Sequence, residues 1–404
     1  MGLCRPSRYH LVLIGAIFDP GFALSEHQHR MKLKRLTTGK VLTLLGITLG
    51  TIGCSTDIEL NAPYQRTPVV FGLLDAGVDT QWVRINRTWL GDGNQLEAAM
   101  VADSSEYPAN ELTVSISERI NGSVTRWWPM RDTVIENKSE SGIFYAPEQQ
   151  MWYFVPEGGL NSDATYDFDM EIASEATPVS SSTNMIAEQI GNITQPPPGV
   201  NNFKLGFASV GFQTTYPDIT FKWASTAGAS RYDITVYIHV IERIWADLDH
   251  TVLVEERPRV VEWNIGTLNT SDDGGGEVLQ KEVSGERFFT TLATKLEEDP
   301  YVTRVLGVWD EQVQIARAVD FVLTIANEEL STYLEVNAPV TGVIKERPAY
   351  TNINGGLGLF AARATQGVYG IGYTTATLQE LIEGDATAAL NFCSPNPFSD
   401  FYCP

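Results

Sequence analysis

From residue 67 onward, apolar and polar side chains alternate with a period of two in one short segment after another. Val69, Val70 and Phe71 lead into a break at Gly72 and Asp75-Ala76-Gly77. Val83 and Ile85 then alternate with Arg84 and Asn86, Leu112, Val114 and Ile116 with Thr113, Ser115 and Ser117, and Tyr166, Phe168, Met170 and Ile172 with Asp167, Asp169 and Glu171. Successive side chains of a strand point to opposite faces, so each segment predicts a half-buried strand, and strands separated by turns predict a sandwich. Asn121-Gly122 supplies a two-residue hairpin turn. Trp127 and Trp128 then fall on the return strand, where neighbouring indoles cannot both enter one core. One of the pair is therefore expected in solvent, which makes these two tryptophans the candidates for binding a partner.

Residues 195–199, Gln-Pro-Pro-Pro-Gly, interrupt the pattern, because consecutive prolines prefer an extended, semi-rigid conformation and donate no ladder hydrogen bonds. They predict a linker. Beyond it Ile219, Phe221 and Trp223 alternate, and Tyr232, Ile234, Val236, Ile238 and Val240 do so after a turn at Gly228-Ala229. Phe288, Phe289, Leu292 and Leu296 lie at helical spacing, with Ser284 placed to cap and Pro300 to stop. Val319, Phe321, Leu323 and Ile325 restore a strand. Asn327 is placed to cap a helix bearing Leu330, Tyr333 and Leu334, and Thr377 with Glu380 reads as a capping box. The segment from Phe221 through Gly228 to Ile234 is similar to the B and C strands of a fibronectin type III domain. The expected fold is mostly β: two immunoglobulin-like or fibronectin-like β-sandwich domains, at 67–194 and 200–392, the second with a helical insertion.

Upstream, Lys32, Lys34, Arg35 and Lys40 precede an apolar run at 41–52 and Thr51-Ile52-Gly53-Cys54. A run this short covers about 18 Å as a helix, against a hydrocarbon core of about 30 Å. Residues 31–53 resemble a bacterial lipoprotein signal peptide, with Thr51 where such signals carry Leu, and the resemblance implies lipidation of Cys54. Residues 1–30 read as an over-extended start and 54–66 as a tether, whose Asp57 and Glu59 resemble surface-export signals of Bacteroidota lipoproteins. The chain has 28 Lys+Arg against 50 Asp+Glu; residues 1–53 hold 7 and 2 of these, which leaves 21 against 48 and a net of −27 from Cys54 on. Such a surface repels phosphate backbones and anionic head groups, so no nucleic acid is expected as a partner and membrane attachment falls to the acyl chains.

Candidate chemistry is sparse. Gly355-Gly356-Leu357-Gly358 lacks the Lys-Ser/Thr of a phosphate loop and reads as a place where backbone crosses backbone. Asp247, Asp249, Asp272 and Asp273 do not have the spacing of a calcium loop. Past the signal, His239 and His250 are the histidines, one on the polar face of a strand and one in a loop, too few for a triad or a zinc site. No metal or other cofactor is expected, and no enzyme activity. With Cys54 lipidated, Cys393 and Cys403 form an even pair in an oxidising compartment, and a disulfide is expected to close the tail 393–404. Tyr350 to Phe360, together with Val69-Val70-Phe71-Gly72-Leu73-Leu74 behind the lipid cysteine, resembles a Bacteroidota lipoprotein family catalogued as domain of unknown function forty-two forty-nine. Its members are typically found beside TonB-dependent receptors. The resemblance implies an outer-membrane accessory or binding protein that acts with such a receptor on a small ligand the sequence does not specify; the alternatives are a carboxylate-based glycoside hydrolase and a structural surface adhesin.

Overall fold

The alternating segments form strands with the expected faces inward: Val83, Ile85, Val114, Ile116, Tyr166, Phe168, Met170, Ile234, Val236 and Ile238 are all buried. The computed structural model describes residues 66–90, 94–187, 193–200, 202–270, 274–339 and 349–403. Along the chain the strands are β1 (Pro68–Asp75), β2 (Gln81–Arg87), β3 (Leu112–Ile120), β4 (Ser123–Pro129), β5 (Arg131–Glu136), β6 (Glu148–Phe154), β7 (Thr165–Ile172), β8 (Val179–Asn184), β9 (Ile193–Gln195) and β10 (Lys204–Leu205). They continue as β11 (Asp218–Ala224), β12 (Arg231–Trp245), β13 (Leu253–Asn269), β14 (Val278–Ser284), β15 (Val302–Leu306), β16 (Val308–Asp310), β17 (Ile315–Arg317), β18 (Val319–Ala326), β19 (Leu357–Tyr373) and β20 (Phe392–Cys393). The helices are α1 (Gln95–Ala99), α2 (Ala102–Ser105), α3 (Gly285–Lys295), α4 (Glu328–Val336) and α5 (Thr375–Glu383). The fold is mostly β.

One sheet has the order β20-β15-β12-β18-β19-β1-β2-β6-β5, with β13 on β12 and β10 on β19; a second is β4-β3-β7-β8, and a third β14-β11-β9. The first half of β19 pairs in parallel with β1, from Val69 opposite Leu357 to Asp75 opposite Arg363, and its second half pairs antiparallel with β18. Strands from both sides of residues 195–199 thus share one hydrogen-bonded sheet. The core is continuous as well: Phe168 packs on Phe360 at 5.7 Å and Phe221 stacks on Phe321 at 4.6 Å. This corrects the expected division at 195–199, and residues 61–404 form one compact unit. The physical reason is that a period of two reports which face of a strand is buried and carries no information about which strand lies beside it.

The Asn352 to Phe360 segment is where the sheets meet. The Asn352 side chain accepts the Phe360 N–H at 2.9 Å and donates to its carbonyl at 2.6 Å, while the Asn352 carbonyl accepts from Ser181 Oγ at 2.8 Å. Asn354 exchanges backbone hydrogen bonds with Ser180 of β8. Gly358 has φ +113°, and a Cβ there would lie 1.9 Å from the Val70 carbonyl oxygen; one on Gly355 would lie 2.9 Å from that of Pro178. The glycines admit the backbone of β1 and of the segment before β8, as a crossing of chains requires.

Two helix starts also differ in detail from expectation. Thr374, in place of Thr377, caps α5 by accepting the Thr377 N–H, and the Thr377 hydroxyl is buried and accepts the Phe207 N–H at 2.8 Å. Ser284 precedes α3 without a side-chain cap bond. Asn327 caps α4 as its position suggests, accepting from the Leu330 N–H. At the other end of the large sheet, Glu242 is 1% exposed and accepts from Arg304, Arg257 and Arg259 at 3.0–3.2 Å. Burial alone would raise this carboxyl, but the three guanidinium groups hold it below its ordinary value. Arg304 also donates to the Leu390 and Glu297 carbonyls, which ties β12 and β15 to the chain on either side of them.

His239 is half-buried and paired, where a solvated strand residue was expected. Its Nε2 lies 2.8 Å from Asp320 Oδ2, and Asp320 Oδ1 accepts the Gly370 N–H at 2.8 Å. The hydrogen bond to Asp320 holds the imidazole above its ordinary value. Burial would raise the Asp320 carboxyl, but the bonds from His239 and Gly370 bring it below its own.

Gly358→Ala is expected to cost about 3 kcal/mol or more in denaturant unfolding, whereas Gly122→Ala, which has open space around its Cβ, should cost about 1 kcal/mol. Equal costs would show that Gly358 is not a close-approach position. The stabilisation from His239 and Asp320 is fully present below the unfolded imidazole value of about 6.5 and is lost as pH rises through the raised folded one; at the acid end it is lost as pH falls through the lowered Asp320 value. The melting-temperature gap between wild type and His239→Gln should be widest at about pH 5–6 and should close above about pH 8. A gap constant across that range would mean that Asp320 does not hold the imidazolium.

Candidate functional site

The hairpin of β3 and β4 turns on Asn121 at φ 51° and Gly122 at φ 79°, the paired left-handed residues that a two-residue turn matched to strand twist demands. The register then sets Trp128 opposite Ile116 and Trp127 opposite Ser117. Trp128 faces the core, with ring centroids 5.4 Å from Phe154 and 6.4 Å from Tyr166, and with the Arg126 guanidinium 4.9 Å over its ring. Arg126 pairs with the buried carboxylate of Glu118, which also accepts from Thr125 and Tyr166. Burial alone would raise Glu118, but these bonds outweigh it and bring its pKa down to about 2. The inward side of β4 is pinned by this network. Trp127, on the other side, is 59% exposed.

Cross-strand pairing gives the outward face a defined grid. Trp127, Ser117, Asp167 and Ser182 lie in one row across β4, β3, β7 and β8, with Ser117 itself buried, and Pro129, Ser115, Asp169 and Ser180 lie in the next. Neighbouring strands are about 4.8 Å apart, so each row extends about 14 Å from the edge strand. Asp167 is ion-paired with Arg119. Asp169 sits above its ordinary value because of partial burial and the charge of Asp167 nearby. The following pair, Thr113 and Glu171, lines a cavity of about 420 Å³ together with Glu111, Glu175 and Thr177. The site is thus an indole at the edge of a polar, acidic sheet face that leads into a cleft, and its groups can stack on a flat surface and accept hydrogen bonds.

The remaining candidates are dispersed. Cys54 and the signal stretch 31–53 lie outside the described residues, as do Asp272 and Asp273. Cys393 and Cys403 are joined by a disulfide with Cα atoms 5.0 Å apart. The Asp247 carboxylate accepts the N–H groups of Thr251 and Val252 and so shapes the tip of the β12–β13 hairpin. His250, at φ 53°, reaches the Pro300 carbonyl at 2.8 Å. Among the described residues no three His, Cys, Asp or Glu side chains come together as a metal site requires, and no helix is long and apolar enough to cross a membrane. The sequence offered Trp127 and Trp128 together as candidates, with one of them expected in solvent; the structure exposes Trp127 and packs Trp128 on the core, which removes Trp128 from the pair, and the row across the sheet was not foreseen. Asp167, Asp169 and Glu171 were legible as a polar strand face, and what brings them into line with the indole is register.

No family profile matches the chain, and no curated protein matches it. Among solved structures, the native conformation of the alpha-2-macroglobulin of E. coli aligns with 76% of this chain and 14% of its own length, at 10% identity and a TM-score of 0.19. A biofilm-associated protein BSP domain aligns with 80% of this chain and 62% of its own, at 8% identity and a TM-score of 0.12. The chain thus spans a small part of the first and less than two thirds of the second, and neither likeness bears on its fold or function.

Proposed function

We propose that this chain is a lipid-anchored outer-membrane binding protein, accessory to a TonB-dependent receptor in the uptake of a nutrient, and that Trp127 contacts that partner. The observation that carries the reading is the exposed indole of Trp127 on a strand whose next residue is locked into the core. A large aromatic side chain held in solvent by a pinned backbone favours aggregation unless its working state covers it, and tryptophan is enriched in binding hot spots. The order of basic residues, apolar run and Cys54 supports the anchor. A net charge of −27 from Cys54 on fits attachment through acyl chains better than through anionic head groups. On the Trp127 face, binding is favoured over glycoside hydrolysis because Asp167 and Asp169 lie side by side on one strand face, with Asp167 tied to Arg119, whereas a hydrolase sets two carboxyl groups on opposite sides of the bond to be cut.

The test is recovery of a TonB-dependent receptor with the anchored protein from cross-linked outer membranes. Trp127→Ser should lower that recovery about tenfold or more while leaving the melting temperature unchanged. Trp128→Ser should instead lose about 2–3 kcal/mol of stability, since it removes the ring packed on Phe154 and Tyr166. Undiminished recovery with Trp127→Ser, or unfolding of that variant, would remove Trp127 from any interface.

A further inference from the structure

Between β10 and β11 the chain makes a second exposed aromatic feature, unrelated to the Trp127 face. Ser209 and Thr215 exchange both backbone hydrogen bonds, at 2.9 and 3.0 Å, and close the loop 209–215. At its tip the Phe212 side chain is fully exposed, at 103%, and Val210 is exposed beside it. The base is held fast. Phe207 stacks on Phe288 of α3 at 3.9 Å and donates its N–H to Thr377 of α5; Tyr216 packs on Phe289 and donates its hydroxyl to Glu380 of α5 at 2.7 Å. A phenyl ring that no protein group covers is thus presented on a stapled support.

Two features identify what covers it. First, residues 205–216, Leu-Gly-Phe-Ala-Ser-Val-Gly-Phe-Gln-Thr-Thr-Tyr, carry no charge, in a chain that is 19% charged and has a net charge of −22. Second, the reciprocal bonds at Ser209 and Thr215 pair the backbone at the base of the loop and hold Phe212 out at its tip, where the exposed neighbour, Val210, is also apolar. A protein hot spot usually centres on Trp, Tyr or Arg within a hydrogen-bonding rim. Here the tip is a phenylalanine flanked by small and neutral residues, with a tyrosine at the base, the pattern of a side chain that enters the interfacial layer of a membrane. We propose that loop 209–215 is a membrane-contact finger that places Phe212, with Val210 beside it, in the interfacial layer of a zwitterionic bilayer. The finger follows β10, which pairs with the last residues of β19, whereas the chain from residue 67 enters β1 beside the first residues of β19. These points lie at opposite ends of the 17-residue β19, up to about 50 Å apart for a fully extended strand.

The test uses the chain from residue 55, which carries every described element but neither the apolar run 41–52 nor Cys54, so that the outcome does not depend on lipidation. In flotation with phosphatidylcholine vesicles, the floating fraction should rise with lipid concentration. Phe212→Ser should lower the partition coefficient about tenfold, and Phe212→Leu should hold it within about threefold of wild type. Both should melt with the parent, since the ring packs on nothing. Trp127→Ser should float as wild type does, and adding phosphatidylglycerol should weaken binding because the chain is acidic. Failure of the parent chain to float, indifference of flotation to Phe212→Ser, or an equal loss with Trp127→Ser would overturn the proposal. So would a dimer in sedimentation that Phe212→Ser dissociates while vesicles bind neither form, since a second copy would then be what covers the ring.

Discussion

The parallel pairing of β1 with the first half of β19 is the constraint on which the rest of the structure depends. It joins residues nearly three hundred positions apart, and through it the strands before residue 195 and those after 200 become one sheet. The pairing is possible because Gly358 has no Cβ where the Val70 carbonyl passes, and it is held in register by Asn352, whose side chain bonds both backbone groups of Phe360. The same short segment reaches the four-stranded sheet through Ser180 and Ser181 of β8. What resembles a phosphate-cradling glycine run is a crossing of chains, and its glycines are occupied by neighbouring carbonyl groups.

The support of the Trp127 face follows from that junction. The four-stranded sheet is fixed to the large one at β8 and by Phe168 against Phe360. Its far edge, β4, is fixed by Arg126 and Trp128 over the buried Glu118. Both edges being held, the positions of Trp127, Asp167 and their neighbours are fixed by the fold itself, and a face fixed in this way would lower the ordering cost of any association made there.

Much of this was legible from local pattern. A strand with one face in solvent writes its burial into every second residue, so β2, β3, β7, β11 and β12 could be read directly, and β18 from its more regularly apolar face, Val319, Phe321, Leu323 and Ile325. β19 could not. Leu359 and Ala361 are buried under α4 while Phe360 and Ala362 are buried in the main core, so both faces are covered and the alternation disappears. Nor could the pairing of β19 with β1, since nothing local in either segment names its partner. α5 begins at Thr375, so Thr377 lies inside the helix rather than at its cap, and its hydroxyl accepts from Phe207 instead. The ring of arginines around Glu242 and the closure of loop 209–215 likewise depend on distances that only the fold creates. At the candidate site, the alternation identified one exposed tryptophan, and register supplied the carboxylates and hydroxyls that share its face.

If the β1–β19 seam makes residues 61–404 a single unit, the chain after residue 199 lacks half the partners of its longest core strand. Thermal unfolding of the fragment 200–404, compared with the chain from residue 55, tests this most directly. The account predicts one cooperative transition for the longer chain and none for the fragment, whose Leu359, Phe360 and Ala361 would be left without β1. A fragment that unfolds cooperatively, near the melting temperature of the longer chain, would show that the two sides of residues 195–199 fold independently and would contradict it.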